Sequence, residues 1–265
     1  MVRSVSAAFA SFRRGGRGIR LTDRFRRAVD FCIAFLEMLP DRAVDLRRMA
    51  AAAARSPVLV WSDAMWEEAS PRSPAHGGIG FVVWLPPDHT MSPGPGGGLF
   101  YGWRRASLAD VPWRARDHHL IGQLELLAAA AVYTSMPGVF LDSEVIHFVD
   151  NTSAVYGLVK GYSARPDSAG VILAFHLCGL ALRCGVWFNY VASKANVADL
   201  PSRGAISEMV RILRKSDPSF ERVGRLVPTV LPTVAADLSA AWAAAEQLAA
   251  QATPSAAAPP RPRRH

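Results

Sequence analysis

Between positions 57 and 103 the chain offers three short runs rich in β-branched and aromatic residues and no helical periodicity between them. The runs are Val58-Leu59-Val60-Trp61-Ser62-Asp63, Ile79-Gly80-Phe81-Val82-Val83-Trp84 and Leu99-Phe100-Tyr101-Gly102-Trp103, separated by stretches rich in Ser, Pro and Gly. Successive strands joined by loops pair most readily as an antiparallel meander, because a parallel return needs a crossover that is usually helical. That expectation constrains everything downstream.

After 103 the pattern changes. Leu120, Leu124, Leu127, Ala131 and Val132 mark an amphipathic helix stopped by Pro137-Gly138. Residues 145–151, Val-Ile-His-Phe-Val-Asp-Asn, read as a strand delivering Asp150, followed by a short helix over 152–160 closed by Gly161. A longer helix over about 167–183 leads to a fifth strand at 186–191. A loop then enters a further helix, with Asn196 expected as N-cap and Asp199 in the first turn.

Four acids stand out. Asp63 and Asp150 each close a strand-like run, Glu125 is flanked by leucines inside an apolar helix, and Asp199 opens the last helix. Each alone has an ordinary reading: a turn residue, a solvated helix flank, a capping partner. Brought to one place, four carboxylates demand cations, and oxygen-only ligands favour Mg2+ or Mn2+. A pair of such ions about 3.5–4 Å apart is a standard device for in-line attack at a phosphodiester.

Ser62-Asp63-Ala64, Gln123-Leu124-Glu125-Leu126-Leu127-Ala128, Phe148-Val149-Asp150-Asn151 and Asn196-Val197-Ala198-Asp199-Leu200-Pro201-Ser202-Arg203 resemble, in order, the four motifs of the ribonuclease H domain of reverse-transcribing retroelements. The similarity is greatest to the DIRS-like group and covers about 57–214. It implies an α/β, ribonuclease H-like mixed five-stranded sheet, a three-stranded antiparallel meander plus two parallel strands, flanked by helices and carrying helical N- and C-terminal extensions. It also implies an endonuclease that hydrolyses the RNA strand of RNA/DNA hybrids with two Mg2+ ions, Mn2+ being a substitute. The implied catalytic metal ligands are Asp63, Glu125, Asp150 and Asp199; Asp63 and Asp150 would flank both ions, and Glu125 and Asp199 would each complete one. Asn151 and Ser153 would support the strand end, and a reverse transcriptase polymerase domain would be a partner. Two departures from the family are visible: Ala192-Ser193-Lys194-Ala195 carries no histidine before the last acid, and the loop 65–78 is longer than expected. His118 and His119, before the Glu125 helix, are candidates to approach substrate or are plain surface histidines.

Charge fits a polyanionic partner. The chain carries 30 basic against 22 acidic residues, a net +8, mostly through arginine. Arg104, Arg105, Arg114 and Arg116 lie in what reads as an irregular connection before the Glu125 helix, where they would track a phosphate backbone or face solvent. Trp66, Trp84, Trp103 and Trp113 read as sheet-face packing or base-stacking surfaces. The expected organisation is a disordered basic arm at 1–20, a helical extension or linker at 21–55, the ribonuclease H-like domain at 56–214, a proline-punctuated segment and Ala-rich helix at 215–252, and a disordered basic tail at 253–265. Cys32, Cys178 and Cys184 are too scattered for a disulfide framework or zinc cluster and read as buried thiols. No apolar run approaches the ~20 residues of a membrane span. Nucleus or cytoplasm is the expected location, with organelle targeting by the Arg-rich N-terminus as the alternative.

Rival readings differ in kind. A polymerase palm normally places two adjacent aspartates where this chain has Asp150-Asn151. Transposases and integrases of the superfamily usually use three acids in another element order. A catalytically inactive nucleic-acid-binding module from a decayed element would keep the fold without turnover.

Overall fold

The computed structural model describes residues 26, 29–30, 33, 37, 55–71, 74–111, 120–216, 224–235 and 237–252. The expected arm at 1–20, the tail at 253–265 and nearly all of the extension at 21–55 lie outside them, as do Cys32, Trp113, Arg114, Arg116, His118 and His119.

Among the described residues six strands form one sheet: β1 (Val58–Glu67), β2 (His76–Leu85), β3 (Gly98–Ala106), β4 (Glu144–Val149), β5 (Gly185–Tyr190) and β6 (Gly224–Leu226), in the order β5-β4-β1-β2-β3-β6. β1, β2 and β3 are the antiparallel meander, while β4 and β5 add parallel strands on the other side of β1. These five match the expected mixed five-stranded sheet of a three-stranded antiparallel meander plus two parallel strands. β6 extends it, pairing parallel to β3 through three residues, too few to carry a period-two pattern in sequence.

The first hairpin is longer than its composition suggests. Met65, Trp66 and Glu67 pair with Gly78, Gly77 and His76, so much of the presumed loop 65–78 is strand and Asp63 sits within β1 rather than at its end. What stops near Asp63 is the pairing with β4, whose last register pair is Ser62 with Val149.

One sheet face carries Val58, Val60, Ser62 and Ala64 of β1 beside Val83, Phe81 and Ile79 of β2 and Val145, His147 and Val149 of β4, all buried. Helix α1 (Ile121–Ser135) packs on this face, with α4 (Pro166–Ala181) against α1. Every α1 residue from Gln123 to Tyr133 is buried, which explains a helix apolar nearly all round. Between them α2 (Pro137–Phe140) precedes β4 and α3 (Thr152–Lys160) follows it. Asn151 caps α3 by accepting from Ala154 N at 3.1 Å, and Gly161, at φ 69°, closes it in the left-handed conformation a β-carbon disfavours. After β5 come α5 (Asp199–Ser202) and α6 (Ile206–Ser216). Finally α7 (Leu238–Ala252) lays Ala241, Ala245, Leu248 and Ala252 on α4 and α2, so the C-terminal segment shares the domain's core.

Candidate metal centre

β1 and β4 run side by side as far as Ser62 and Val149 and then part. Here the chain's direction across the sheet reverses, β1 leading to β2 on one side and β4 to β5 on the other, the kind of crevice where α/β sheets take their ligands. Side chains take the next main-chain groups along that edge of β1. Asn196 Nδ2 donates to Ser62 O at 3.0 Å, and Ala64 N–H donates to the Glu125 carboxylate. Into the gap come Asp63, Glu125 and Asp150, each with one carboxylate oxygen within 4.8 Å of the other two.

Burial makes the cluster costly. Asp63 and Glu125 are each 4 % exposed and Asp150 is half-buried. Desolvation pushes the Asp63 carboxyl from 3.8 up to about 7; Ser202 pulls it down and the charges of Asp150 and Asp199 push it further up. Glu125 is held well above the usual carboxylate range, first by burial and then by Asp63 and Asp150. Its Oε2 is buried with no hydrogen-bond partner. An unpartnered buried carboxylate oxygen beside two more carboxylates calls for a proton or a cation, and an all-oxygen donor set fits a hard divalent ion such as Mg2+ or Mn2+.

Asp199 stands apart from the three. Its side chain is 37 % exposed and its Oδ1 accepts from Arg203 Nε at 2.9 Å, while its charge still bears on Asp63. The geometry around it differs from the sequence expectation. α5 begins at Asp199 itself, with Ala198 at the cap position. Asn196, expected as the N-cap, instead closes a turn through Ala198 N (3.1 Å) and ties the loop to β1 through Ser62 O. A side chain with both a donor and an acceptor can serve two elements at once, and here the tertiary contact takes the donor.

Several site residues escaped sequence reasoning. Ser202, 1 % exposed, donates a hydrogen bond to Asp63 Oδ2 and lies 2.9 Å from Asp199 O, linking the two acids. It belongs to the fourth motif, and a hydroxyl one turn beyond an acid was the available signal. α5 reaches β2 this closely because Gly78 and Gly80 carry no side chain: a β-carbon at either would collide with the Ser202 backbone. Beneath the acids, His147 Nε2 bonds Ser62 Oγ at 2.9 Å and His147 Nδ1 bonds Tyr133 OH at 3.1 Å. The signal for that pair was a lone histidine centred in an apolar strand.

Asn151 commits its side-chain oxygen to capping α3, and Ser153 is exposed on the same helix. Both line a cleft of about 440 Å3 with Gln123, Ser163, Arg165 and Ser168, at the starts of α1, α3 and α4. Of the four arginines read as a strip, Arg114 and Arg116 lie outside the described residues. Arg104 and Arg105 lie in β3, which continues to Ala106 through pairing with residues 77–79, so adjacent side chains leave opposite faces. Arg104 is held by Asp110 at 2.6 Å.

No protein family model matches the chain, and no curated protein matches its sequence. Among solved structures it is similar to LC9-RNase H1, described as a type 1 RNase H with the type 2 active-site motif, at 13 % identity and a TM-score of 0.43, over 69 % of this chain and 98 % of that one. It is similar to RNase H1 from the halophilic archaeon Halobacterium salinarum at 18 % identity and a TM-score of 0.39, over 58 % and 99 %. A third, the N-terminal RNase H domain of a Mycobacterium tuberculosis protein fused to maltose-binding protein, stands at 17 % identity and a TM-score of 0.32, over 59 % and 98 %.

Proposed function

We propose that this chain is a ribonuclease H-type endonuclease hydrolysing the RNA strand of RNA/DNA hybrids with divalent metal held by Asp63, Glu125, Asp150 and Asp199. The observation that carries this reading is the convergence of three carboxylates, two of them almost fully buried, where β1 and β4 part. Asp63 and Asp150 are suited to flank both ions, with Glu125 and Asp199 each completing one. Bound there, Mg2+ or Mn2+ would help a water ionise for attack on phosphorus and offset charge on the departing 3′ oxygen.

The chain's own groups prepare that site. Ser202 engages Asp63 Oδ2, and the Ala64 N–H engages the Glu125 carboxylate, whose Oε2 remains free as a ligand. The cleft next to Asp150 in sequence, where three helices begin, is lined by Asn151, Ser153, Ser163, Ser168 and Arg165, a polar and basic lining suited to the phosphates of a hybrid. The retroelement affinity is part of the proposal: the domain is read as belonging to, or derived from, a reverse transcriptase whose polymerase domain is its partner. Its support is the four-motif order together with the separate tasks found for Asn151, Asn196, Ser202 and Arg203.

The test is cleavage of a labelled RNA/DNA hybrid in Mg2+ and in chelator, with wild type, Asp150→Asn and Glu125→Gln. Wild type should cut only with metal, and each variant should lose on the order of a hundredfold or more in rate. Full activity in either variant would sink the assignment. A folded wild type that binds the hybrid without cutting it would make the chain the catalytically silent binding module instead.

A further inference from the structure

Three buried polar side chains join the elements that carry the three clustered acids. Ser62 directly precedes Asp63 on β1, His147 lies three residues before Asp150 on β4, and Tyr133 lies eight residues beyond Glu125 on α1. Ser62 and His147 are 0 % exposed and Tyr133 is 1 % exposed. They form one chain of hydrogen bonds, Tyr133 OH to His147 Nδ1 at 3.1 Å and His147 Nε2 to Ser62 Oγ at 2.9 Å. Phe188 lies 5.3 Å from the His147 ring, and Phe140 and Phe175 lie 4.4 and 5.1 Å from that of Tyr133, so apolar rings enclose the polar chain. Burial pushes the imidazole down to about 3, which keeps it neutral.

Hydrophobic patterning cannot supply what these bonds supply. Where the two strands pair, the inward residues of β1 are Val58, Val60 and Ser62, and those of β4 are Val145, His147 and Val149. Sliding β4 by two residues would keep every side chain on its own face while carrying Asp150 about 6.6 Å from its place. Helix α1 likewise presents the smooth run Ala128, Ala129, Ala130 and Ala131, over which a one-turn slide would move Glu125 by about 5.4 Å. Hydrogen bonds of fixed length tolerate neither slide.

We propose that the Tyr133–His147–Ser62 chain is a positioning device for the metal centre, selecting the one register of β1, β4 and α1 in which Asp63, Asp150 and Glu125 meet. The proposal rests on the metal-centre reading above, and its test separates the two. Mn2+ affinity is measured without nucleic acid on wild type, Ser62→Ala, Tyr133→Phe and the all-apolar combination Ser62→Ala/Tyr133→Phe/His147→Leu, beside thermal melts and hybrid-cleavage kinetics. Replacing all the polar partners together can leave stability nearly unchanged, so the combined variant separates folding from positioning. The expected result is roughly tenfold weaker Mn2+ binding in the single and combined variants, as for groups that orient metal ligands from behind. Where cleavage is seen, kcat should fall with KM for the hybrid unchanged. Wild-type affinity in Tyr133→Phe, or affinity restored in a combined variant that melts like wild type, would overturn the proposal, as would a wild type that binds no Mn2+. If the combined variant does not fold, the single variants decide. A wild type that binds Mn2+ tightly but cuts no hybrid would defeat the functional reading while leaving positioning to be judged on binding.

Discussion

Replacing Asp63 by Asn should stabilise the protein in chelator while removing its response to Mg2+, and the stabilisation should depend on pH. The Asp63 carboxyl rises from 3.8 to about 7 in the fold, chiefly because it is buried. The folded state therefore holds this proton more tightly than the unfolded chain, so the associated stability is complete below about pH 4 and is lost as pH climbs towards about 7. At about 1.4 kcal/mol for each tenfold change in proton affinity, the ceiling on that loss is ~4 kcal/mol. The Asn side chain keeps the shape and the capacity to accept from Ser202 without the charge. Urea denaturation in chelator across this range should thus find the Asp63→Asn variant ~2–4 kcal/mol more stable than wild type at about pH 8, with the gap closing to under ~1 kcal/mol at about pH 4. Groups that do not sense the Asp63 charge, such as buried neutral His147, cancel in the difference, while Glu125, relieved of that charge in the variant, widens the alkaline gap in the same direction. Millimolar Mg2+ should then raise the wild-type midpoint and leave the variant's unmoved. A gap that does not change with pH, or a wild type more stable than the variant at the alkaline end, would refute the reasoning.

Gly80→Ala should lower the melting temperature and the cleavage rate together. Its β-carbon would stand 2.5 Å from Pro201 C and 2.8 Å from Ser202 Cα, so α5 must retreat at a cost of ~1–3 kcal/mol and draw Ser202 away from Asp63. Asn151→Ala should cost about 1 kcal/mol through the lost N-cap, read as faster amide exchange over the first turn of α3 with the rest of the sheet unchanged. Arg203→Ala removes an exposed i,i+4 ion pair and should change stability by less than ~0.5 kcal/mol, yet free Asp199 to bind cation, so tighter Mn2+ binding in a calorimetric titration is expected. Unchanged or weaker Mn2+ binding would show that Asp199 takes no part in holding metal.

Much of the frame was legible because it is written locally. Strands β1 to β5 announced themselves through β-branched and aromatic runs, and α3 was bounded correctly from Asn151 and Gly161, whose capping and left-handed preferences act within one turn. Where composition misled, a distant partner was the cause. Residues 76–78 read as loop because Gly77 and Gly78 are poor strand formers in isolation, yet the absence of a side chain at Gly78 is what lets Ser202 come close. Arg104 and Arg105 read as part of an irregular connection, and pairing with β2 places them in a strand.

By itself, the sequence determined most of the strands and helices, β6 and the outer part of the first hairpin excepted, and which four acids lie on or beside them, since periodicity, capping and backbone preference are properties of neighbouring residues. Only the tertiary structure decided that Asp63, Glu125 and Asp150 share one small space while Asp199 pairs with Arg203 at its edge. It alone revealed that Ser202, Asn196 and His147 hold that space together. Those outcomes depend on strand register, on where β4 leaves β1 and on how far a helix slides over a sheet. These are non-local choices that hydrophobic patterning leaves nearly degenerate, and they are resolved by bonds between groups up to 139 residues apart.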